Sequence, residues 1–251
     1  MWRCATDAAL LLIRPPVSQH PAGKGLVSVS TDRVRQHFDS IAPNYGRWKQ
    51  KAHYYYDYVK AAVADVVPPG ARVLEVGCGT GDVIAHLRPQ EGLGIDLSPE
   101  MIVIAQTRHP RLNFAVHDLM GDSLSGTYDF VVAVDVAEHV PDLTRLMVCM
   151  ASVLAPGGRI VLTTAHPSWR PVLELAERLK LKMPEGDHHW RTPEELRSAA
   201  AAAGLHQVCY TRLLVVPKSV PVLRSVNRIQ ALSQRIGLIQ RAVLERTAPH
   251  A

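Results

Sequence analysis

The sequence predicts a doubly wound α/β fold, in which a mostly parallel sheet is covered by helices on both faces. Short apolar segments alternate with amphipathic helical segments over much of the chain, and strands that alternate with helices imply parallel pairing. The first clear apolar strand segment runs into glycines at alternate positions, in Gly77-Cys78-Gly79-Thr80-Gly81. This pattern is typical of a buried strand that turns sharply into a helix.

The sequence of residues 1–29 indicates little regular structure. The apolar run at 8–13 is too short to cross a bilayer. Arg14-Pro15-Pro16 follows it, where a signal peptide needs a small-residue cleavage site. We therefore interpret 1–29 as a disordered leader or as the product of an upstream start codon, and 30–251 as a single domain.

Residues 30–69 predict a helical flap. Thr31 is the expected N-cap of a first helix, and Pro43 is expected to interrupt it. A second helix is expected over about 49–67, where tyrosines are frequent. A helical pair before a glycine turn often covers the ligand site. Tyr45, in the expected break, is therefore a candidate lid residue.

Residues 70–216 form the predicted core, followed by a basic helical excursion at 217–238 and a last strand at 239–247. Within the core, the expected strands are 73–76, 92–96, 112–116, 129–134, 159–164 and 206–216, and the expected helices are 82–87, one from Ser98, 143–154, 171–181 and 192–204.

A glycine turn alone is compatible with a dinucleotide, a flavin or a nucleoside ligand. This turn lacks the last glycine of G-x-G-x-x-G. Asp96 ends the second strand, where a carboxylate can accept hydrogen bonds from ribose hydroxyls. Asp118 follows the third strand, at a position where a carboxylate can accept a hydrogen bond from an exocyclic adenine amine. Glu75, inside the first strand, disfavours a pyrophosphate and suits a sulfonium amino acid with a free ammonium group.

Successive segments resemble the motifs of class I S-adenosylmethionine (SAM)-dependent methyltransferases, most of all the ubiquinone-biosynthesis-like, type 11 group. The resemblance covers roughly residues 31–210. Its motifs are Leu74-Glu75-Val76-Gly77-Cys78-Gly79-Thr80-Gly81, Gly94-Ile95-Asp96-Leu97-Ser98, His117-Asp118-Leu119, Tyr128-Asp129-Phe130-Val131 and Leu154-Ala155-Pro156-Gly157-Gly158.

The resemblance implies a Rossmann-like, seven-stranded sheet whose last strand is antiparallel, with SAM as the cofactor. The implied cofactor contacts are the turn residues Gly77, Cys78, Gly79 and Gly81 with the methionine moiety, Asp96 with the ribose, Asp118 and Leu119 beside the adenine, Leu97 and Met101 packed against it, and Asp135 near the methionine end. Two alternatives stay open: Asp135 as a cap for the next segment, and Met101 as plain core.

Methyl transfer from a sulfonium is an in-line displacement, so alignment of the reactants can supply roughly 7–11 kcal/mol. A hydroxyl acceptor also gains about 10²–10⁴-fold from a general base. His139, after the fourth strand, lies at the carboxyl edge where substrates bind, and it is the candidate base. His166 and the pair 188–189 are alternatives, and a hydrogen-bonding role stays open for each. We expect no metal, because no ligand set has a metal-binding spacing.

The C-terminal segment carries the basic charge. From Arg212 onward lie seven of the 28 basic residues but one of the 23 acidic residues. In 218–238, apolar residues at helical spacing alternate with arginines. This indicates either a packed helix with a solvated basic face or a peripheral membrane contact suited to a lipid-linked acceptor. We do not expect a nucleic-acid partner, because this stretch has no aromatic residues for stacking.

The sequence therefore predicts a cytoplasmic SAM-dependent methyltransferase acting on oxygen or carbon of a small-molecule or lipid-linked acceptor. The unpaired spacing of the four cysteines fits a reducing compartment. One alternative is a non-catalytic cofactor-binding or assembly protein with the same fold. A less favoured one is a nicotinamide-dependent oxidoreductase, against which Glu75 and the absent glycine count. The sequence predicts neither the acceptor's identity nor the oligomeric state.

Overall fold

The computed structural model describes residues 31–121, 123–184, 186, 189–214 and 234–247. The expectations for the leader at 1–29, for most of the excursion at 217–238 and for the candidate base His188 lie outside the described residues.

In the part of the chain that the structure describes, the strands form one sheet with the order β3-β2-β1-β4-β5-β7-β6. Neighbouring strands pair in parallel except β7, which is antiparallel to both β5 and β6. This confirms the predicted seven-stranded, mostly parallel α/β fold. The strands are β1 (Arg72–Val76), β2 (Glu91–Asp96), β3 (Asn113–Val116), β4 (Tyr128–Val134), β5 (Leu154–Ala165), β6 (Leu205–Leu213) and β7 (Ile239–Arg246).

Helices cover both faces of the sheet, because the central strands carry apolar side chains on both faces. One buried cluster joins these strands to α5 and α7, and another joins them to α2, α3 and α4. The helices are α1 (Thr31–Lys51), α2 (His53–Ala64), α3 (Asp82–Leu87), α4 (Pro99–Arg108), α5 (Leu143–Ser152), α6 (Arg170–Arg178) and α7 (Pro193–Ala202), with a short 3-10 turn at Pro167–Trp169.

Local capping signals explain where several helices begin. The Ser98 hydroxyl accepts the Met101 N–H at the start of α4, and Thr192 forms a capping box with Glu195 at the start of α7. Asp142 accepts the Arg145 N–H at the start of α5. Among the described helices, none is long and apolar enough to cross a membrane.

The predicted break at Pro43 is wrong. α1 continues through this residue, and the chain breaks at Ala52 instead. A proline inside a helix removes one hydrogen bond and costs about 3 kcal/mol. The helical stripe of buried and half-buried residues nevertheless continues beyond it through Tyr45 and Trp48. We attribute the continuous helix to packing of this stripe, which offsets the local penalty.

Candidate active site

A cavity of about 150 Å³ lies at the carboxyl ends of β1, β2 and β4, beneath α1. We call it the first cavity. The parallel strands end at one edge of the sheet, so residues far apart in the sequence meet there. The predicted site residues that line it are Tyr45, Glu75, Gly77, Cys78, Gly79, Asp96, Leu97, Met101, Asp118, Leu119, Asp135 and His139.

The glycine turn forms the floor of this cavity. Gly77 has φ +65°, and a Cβ there would stand 2.3 Å from Cγ2 of Val136. Gly79 has φ +50° and lies under the Tyr45 ring. These positions need glycine, because side chains rarely adopt such a φ. Gly81 is a predicted site residue that does not line the cavity: it precedes α3, and a Cβ there would meet Phe114 at 2.7 Å.

Glu75 is a buried acid in the wall of the first cavity. Its Oε2 accepts the backbone N–H of Ile84 at 2.9 Å, at the start of the following helix. Burial raises the pKa of Glu75 to about 8, although the Ile84 hydrogen bond and the charge of Lys49 act in the opposite direction. A cation beside this carboxyl group would favour its ionised form.

Asp96 is held by backbone donors on both carboxylate oxygens. The Gly79 N–H donates to Oδ2 at 2.7 Å, and the Ser98 N–H donates to Oδ1 at 2.9 Å. Burial raises the pKa of Asp96 above its ordinary value, and these hydrogen bonds oppose that rise. Each carboxylate oxygen has a further acceptor position, so Asp96 can also accept hydrogen bonds from a ligand.

The end of the first cavity near α4 and the turn after β3 is more apolar. Met101 is only 1% exposed, so its side chain belongs to the core and to the cavity wall together. Oδ1 of Asp118 accepts the Met120 N–H at 2.8 Å, which fixes the turn after β3. His117 also lines the cavity, and its Nε2 is buried with no hydrogen-bond partner among the described residues. Sequence reasoning missed His117, although it stands beside Asp118 in the quoted motif.

Residues of helix α1 in the flap cover the first cavity. Tyr45 lies inside α1, not in a loop as predicted. Lys49, one turn later, lies 3.2 Å from Oδ2 of Asp82 and stands over the rings of Tyr45 and Tyr56. Its ammonium group therefore brings a positive charge to the acidic side of the cavity. Sequence reasoning missed Lys49, whose role depends on α1 remaining unbroken.

A second cavity, of about 410 Å³, adjoins the first. The two cavities share Tyr56, Asp135 and Met183 as lining residues. The second cavity lies between the flap, the ends of β4 and β5, and α6. Its aromatic lining residues are Trp48, Tyr55, Tyr56, Trp169 and Trp190, and its polar and charged ones are Lys51, Asp135, Glu138, Thr164, Lys182 and His189. No sequence pattern indicated this cavity.

Asp135 lies at the junction of the two cavities. It adopts φ +53°, and its N–H donates to the Thr163 carbonyl at 3.0 Å. The Tyr55 hydroxyl donates to Oδ2 of Asp135 at 3.0 Å, which ties the flap to the sheet edge. Asp142, and not Asp135, caps the following helix α5.

The candidate histidines are divided among different surroundings. His139 lines the first cavity, and its ring packs edge-on against Phe38 at 5.1 Å. His189 lines the second cavity, and its backbone N–H donates to the Glu138 carbonyl at 2.7 Å. His166 lines neither; its Nδ1 accepts the Ser168 N–H and caps the 3-10 turn. Within the described part of the chain, no group of His, Cys, Asp and Glu has an arrangement that could hold a metal ion.

Comparisons with known proteins agree with this geometry. A family model described as a methyltransferase domain matches residues 47–210. A ubiquinone biosynthesis O-methyltransferase of Xanthomonas axonopodis pv. citri is 32% identical over 177 aligned residues, and the match covers 64% of this chain and 72% of that protein. A second one, from Xanthomonas oryzae pv. oryzae, is 33% identical over 162 residues, covering 59% of this chain and 65% of that protein.

Solved structures share the fold at low sequence identity. The magnesium protoporphyrin IX methyltransferase of Synechocystis PCC 6803, with bound SAH, has a TM-score of 0.60 at 21% identity and covers 86% of this chain and 99% of that one. A SAM-dependent methyltransferase of Mesorhizobium loti has a TM-score of 0.55 at 20% identity, over 72% and 93% of the two chains. With the family match over residues 47–210, the chain belongs to the class I SAM-dependent methyltransferases.

Proposed function

We propose that the first cavity binds SAM and that the chain transfers its methyl group to oxygen or carbon of a small-molecule or lipid-linked acceptor. Bound SAM supplies a methyl group that is already activated on a sulfonium. The observation that carries the proposal is the convergence of Glu75, the glycine turn and Asp96 on one cavity. The protein's task is then to bind, orient and exclude water.

The acceptor groups of the cavity fit the parts of SAM. The buried carboxyl group of Glu75 suits the ammonium of the methionine moiety, because a cation offsets the cost of ionising a buried acid. The glycine turn leaves room for the methionine moiety, with Cys78 in its wall and Gly81 shaping the start of α3. The doubly hydrogen-bonded Asp96 suits the ribose hydroxyls.

The apolar end of the cavity supports binding of the adenine. Leu97, Met101 and Leu119 line this region and offer apolar contact to a flat ring. Asp118, whose Oδ1 accepts one backbone N–H, has capacity left to accept from an adenine amine. In this arrangement the methionine end points toward Asp135, where the first cavity meets the second.

The second cavity is the proposed site of the acceptor. It adjoins the first cavity at Asp135, where we propose the methionine end of SAM, and aromatic side chains form much of its wall. The Xanthomonas relatives are named for ubiquinone biosynthesis, and the Synechocystis structure for magnesium protoporphyrin IX. An acceptor with an apolar body fits such a wall. For a hydroxyl acceptor, we propose a general base from the turn at 138–139, on which His139 is the candidate from the sequence.

Isothermal calorimetry and a labelled-methyl transfer screen test the proposal. We expect SAM to bind, and labelled methyl to reach at least one member of a panel of prenylated quinols, polyprenyl-linked sugars and small phenols, detected by mass spectrometry. Failure to bind SAM would contradict the proposal. Binding without transfer to any of these acceptors would favour a non-catalytic cofactor-binding protein. A fluorescence titration with NADH tests the oxidoreductase alternative directly.

We also propose peripheral membrane contact through 218–238. The support is the charge pattern of that stretch, together with its flanks. The Leu238 N–H donates to the Leu214 carbonyl at 2.8 Å, so the chain leaves and re-enters the described fold at neighbouring points. Leu238 also lines the second cavity. Co-sedimentation with liposomes tests the contact: we expect binding only when anionic lipid is present, and no binding to either liposome would contradict it.

A further inference from the structure

We infer that Glu138 accepts the proton from a hydroxyl acceptor bound in the second cavity. The inference rests on the proposed function, and it assigns the methylated atom to oxygen. It also moves the base by one residue from the position that the sequence indicated. Glu138 and His139 are neighbours on the turn after β4, but they line different cavities: Glu138 the second, and His139 the first.

The carboxyl group of Glu138 is buried in the wall of the second cavity, at 6% exposure. The hydroxyl of Thr164 donates to its Oε2 at 2.7 Å. Thr164 lies on β5, is 1% exposed and lines the same cavity. A buried hydroxyl of this kind fixes the direction of the carboxyl group that accepts its hydrogen bond. Glu138 is thereby held as a hydrogen-bond acceptor at the cavity surface.

Arg191 holds the turn that carries Glu138 through hydrogen bonds to its backbone. Nε of Arg191 donates to the Ala137 carbonyl at 2.9 Å, and its Nη2 donates to the Val140 carbonyl. The fully buried Gln240 in turn donates to the Arg191 carbonyl at 2.7 Å. The guanidinium therefore brings a positive charge close to Glu138 and immobilises the turn on both sides of it. Such support is what a proton acceptor needs to keep its position during a reaction.

The other carboxylic acid and the two lysines among the described lining residues of the second cavity are less suited to this task. Of the carboxylic acids among its described lining residues, Asp135 lies at the junction and accepts the Tyr55 hydroxyl at 3.0 Å. Lys51 and Lys182 are cations and carry no acceptor atom. Glu138 lies beyond the junction, on the side where the body of an acceptor would lie.

The reaction step balances without any further reactant. A bond forms between the acceptor oxygen and the methyl carbon while the carbon–sulfur bond of SAM breaks, and the sulfur keeps that electron pair as a neutral thioether. The hydroxyl proton passes to the carboxylate of Glu138 and later to water. The orientation of that carboxylate by Thr164 keeps it directed toward the hydroxyl.

The test compares Glu138→Gln with Glu138's neighbour, His139→Gln, on two acceptors. The acceptors are phenol and 4-nitrophenol, the second of which is largely ionised in mildly alkaline buffer. For Glu138→Gln we expect a SAM Kd within about 2-fold of wild type and a loss of about 10²-fold or more in kcat on phenol. The loss on 4-nitrophenol should be less than about tenfold, because no proton needs to be removed. His139→Gln should not show this difference between the acceptors.

An equal loss on both acceptors in Glu138→Gln would make Glu138 a structural residue and overturn the inference, as would full activity on phenol. The acceptor-dependent loss appearing in His139→Gln instead would return the role to His139. If the wild type binds SAM but methylates neither these phenols nor any other hydroxyl of the acceptor panel, the hydroxyl-acceptor inference is overturned while the cofactor proposal stands. If the wild type does not bind SAM, the proposed function itself is wrong.

Discussion

The two cavities meet at Asp135 but are built in different ways. The first is shaped mainly by backbone: a glycine turn, carboxyl ends of parallel strands, and acids whose oxygens accept main-chain N–H groups. The second is shaped by side chains from segments that are far apart in the chain, such as Trp48, Trp169 and Trp190. Backbone geometry suits a ligand that never changes, whereas a wall of side chains can be altered to suit a particular acceptor.

This difference predicts that the two cavities respond separately to substitution. Changes at the glycine turn and its acids should alter SAM affinity. Changes in the aromatic wall of the second cavity, apart from the shared Tyr56, should alter the KM for the acceptor and leave SAM affinity unchanged. Any variant that moves both quantities together would weaken the separation.

Gly77→Ala should cause the largest loss. The new Cβ would need φ near +65° and would stand 2.3 Å from Val136, so the turn must shift. We expect SAM affinity to fall by more than about 100-fold in calorimetry, which corresponds to roughly 2.7 kcal/mol. Gly157→Ala is the matched control, because Gly157 has φ +74° with nothing within 4 Å of its Cβ position. A SAM affinity in Gly77→Ala no lower than in this control would contradict the prediction.

Glu75→Gln should have the next largest effect. A hydrogen bond between charged groups contributes about 1.5–3 kcal/mol, so loss of the carboxylate should weaken SAM binding by roughly 10–100-fold. Calorimetry in buffers of different ionisation enthalpy should also detect proton release when SAM binds to the wild type near neutral pH. The pKa of Glu75 is about 8 in the folded chain, and the ammonium of SAM favours the ionised form. Unchanged affinity in the variant would exclude the ion pair.

The same carboxyl group predicts a pH dependence of stability. Its pKa is about 8 when folded against an ordinary value of 4.5, so the unfolded chain releases this proton first as the pH rises. The free energy of unfolding without ligand should therefore fall between about pH 4.5 and pH 8, and level off above that range. Denaturant titrations of the wild type and Glu75→Gln should differ by this slope. Parallel curves would show that Glu75 is ionised when buried.

The sequence was sufficient for the parts of the molecule that local chemistry determines. The sheet could be predicted from the alternation of strands and helices. The position of Asp96 in the wall of the first cavity could be predicted from its place at the end of a strand. The turn glycines followed from their spacing, except that Gly81 supports α3 instead of lining the cavity. In each case the signal lies within a few residues of the group it identifies.

The remaining parts depend on tertiary packing. Pro43 indicated a break, but the packed stripe of α1 overrode it, and this also determined where Tyr45 and Lys49 lie. On the turn after β4, neighbouring side chains point into different cavities, so spacing could not distinguish Glu138 from His139. The second cavity has no sequence signature, because its walls come from elements that meet only in the folded chain.

Tyr45→Ala tests the contribution of the flap to the first cavity. The Tyr45 ring lies 3.5 Å from the Cβ position of Gly79 and carries Lys49 over its face. Loss of an aromatic contact costs about 0.5–1.5 kcal/mol, so we expect SAM affinity to fall by roughly 2–10-fold. Tyr54→Ala, on the same flap but lining neither cavity, should leave it unchanged. Equal affinity in Tyr45→Ala and wild type would remove the lid role.

Leu173→Ala should have the smallest effect and tests the second cavity by itself. Leu173 lies on α6, lines this cavity and packs with Trp169 in the neighbouring apolar cluster. Removing part of an apolar contact costs about 1 kcal/mol, so the KM for the acceptor should rise by roughly 3–5-fold while the SAM Kd stays unchanged. Leu175→Ala, on the same helix but 56% exposed, is the matched control. A larger rise in Leu175→Ala would mean that the acceptor contacts the outer face of α6, and a changed SAM Kd in Leu173→Ala would mean that the two cavities are not independent.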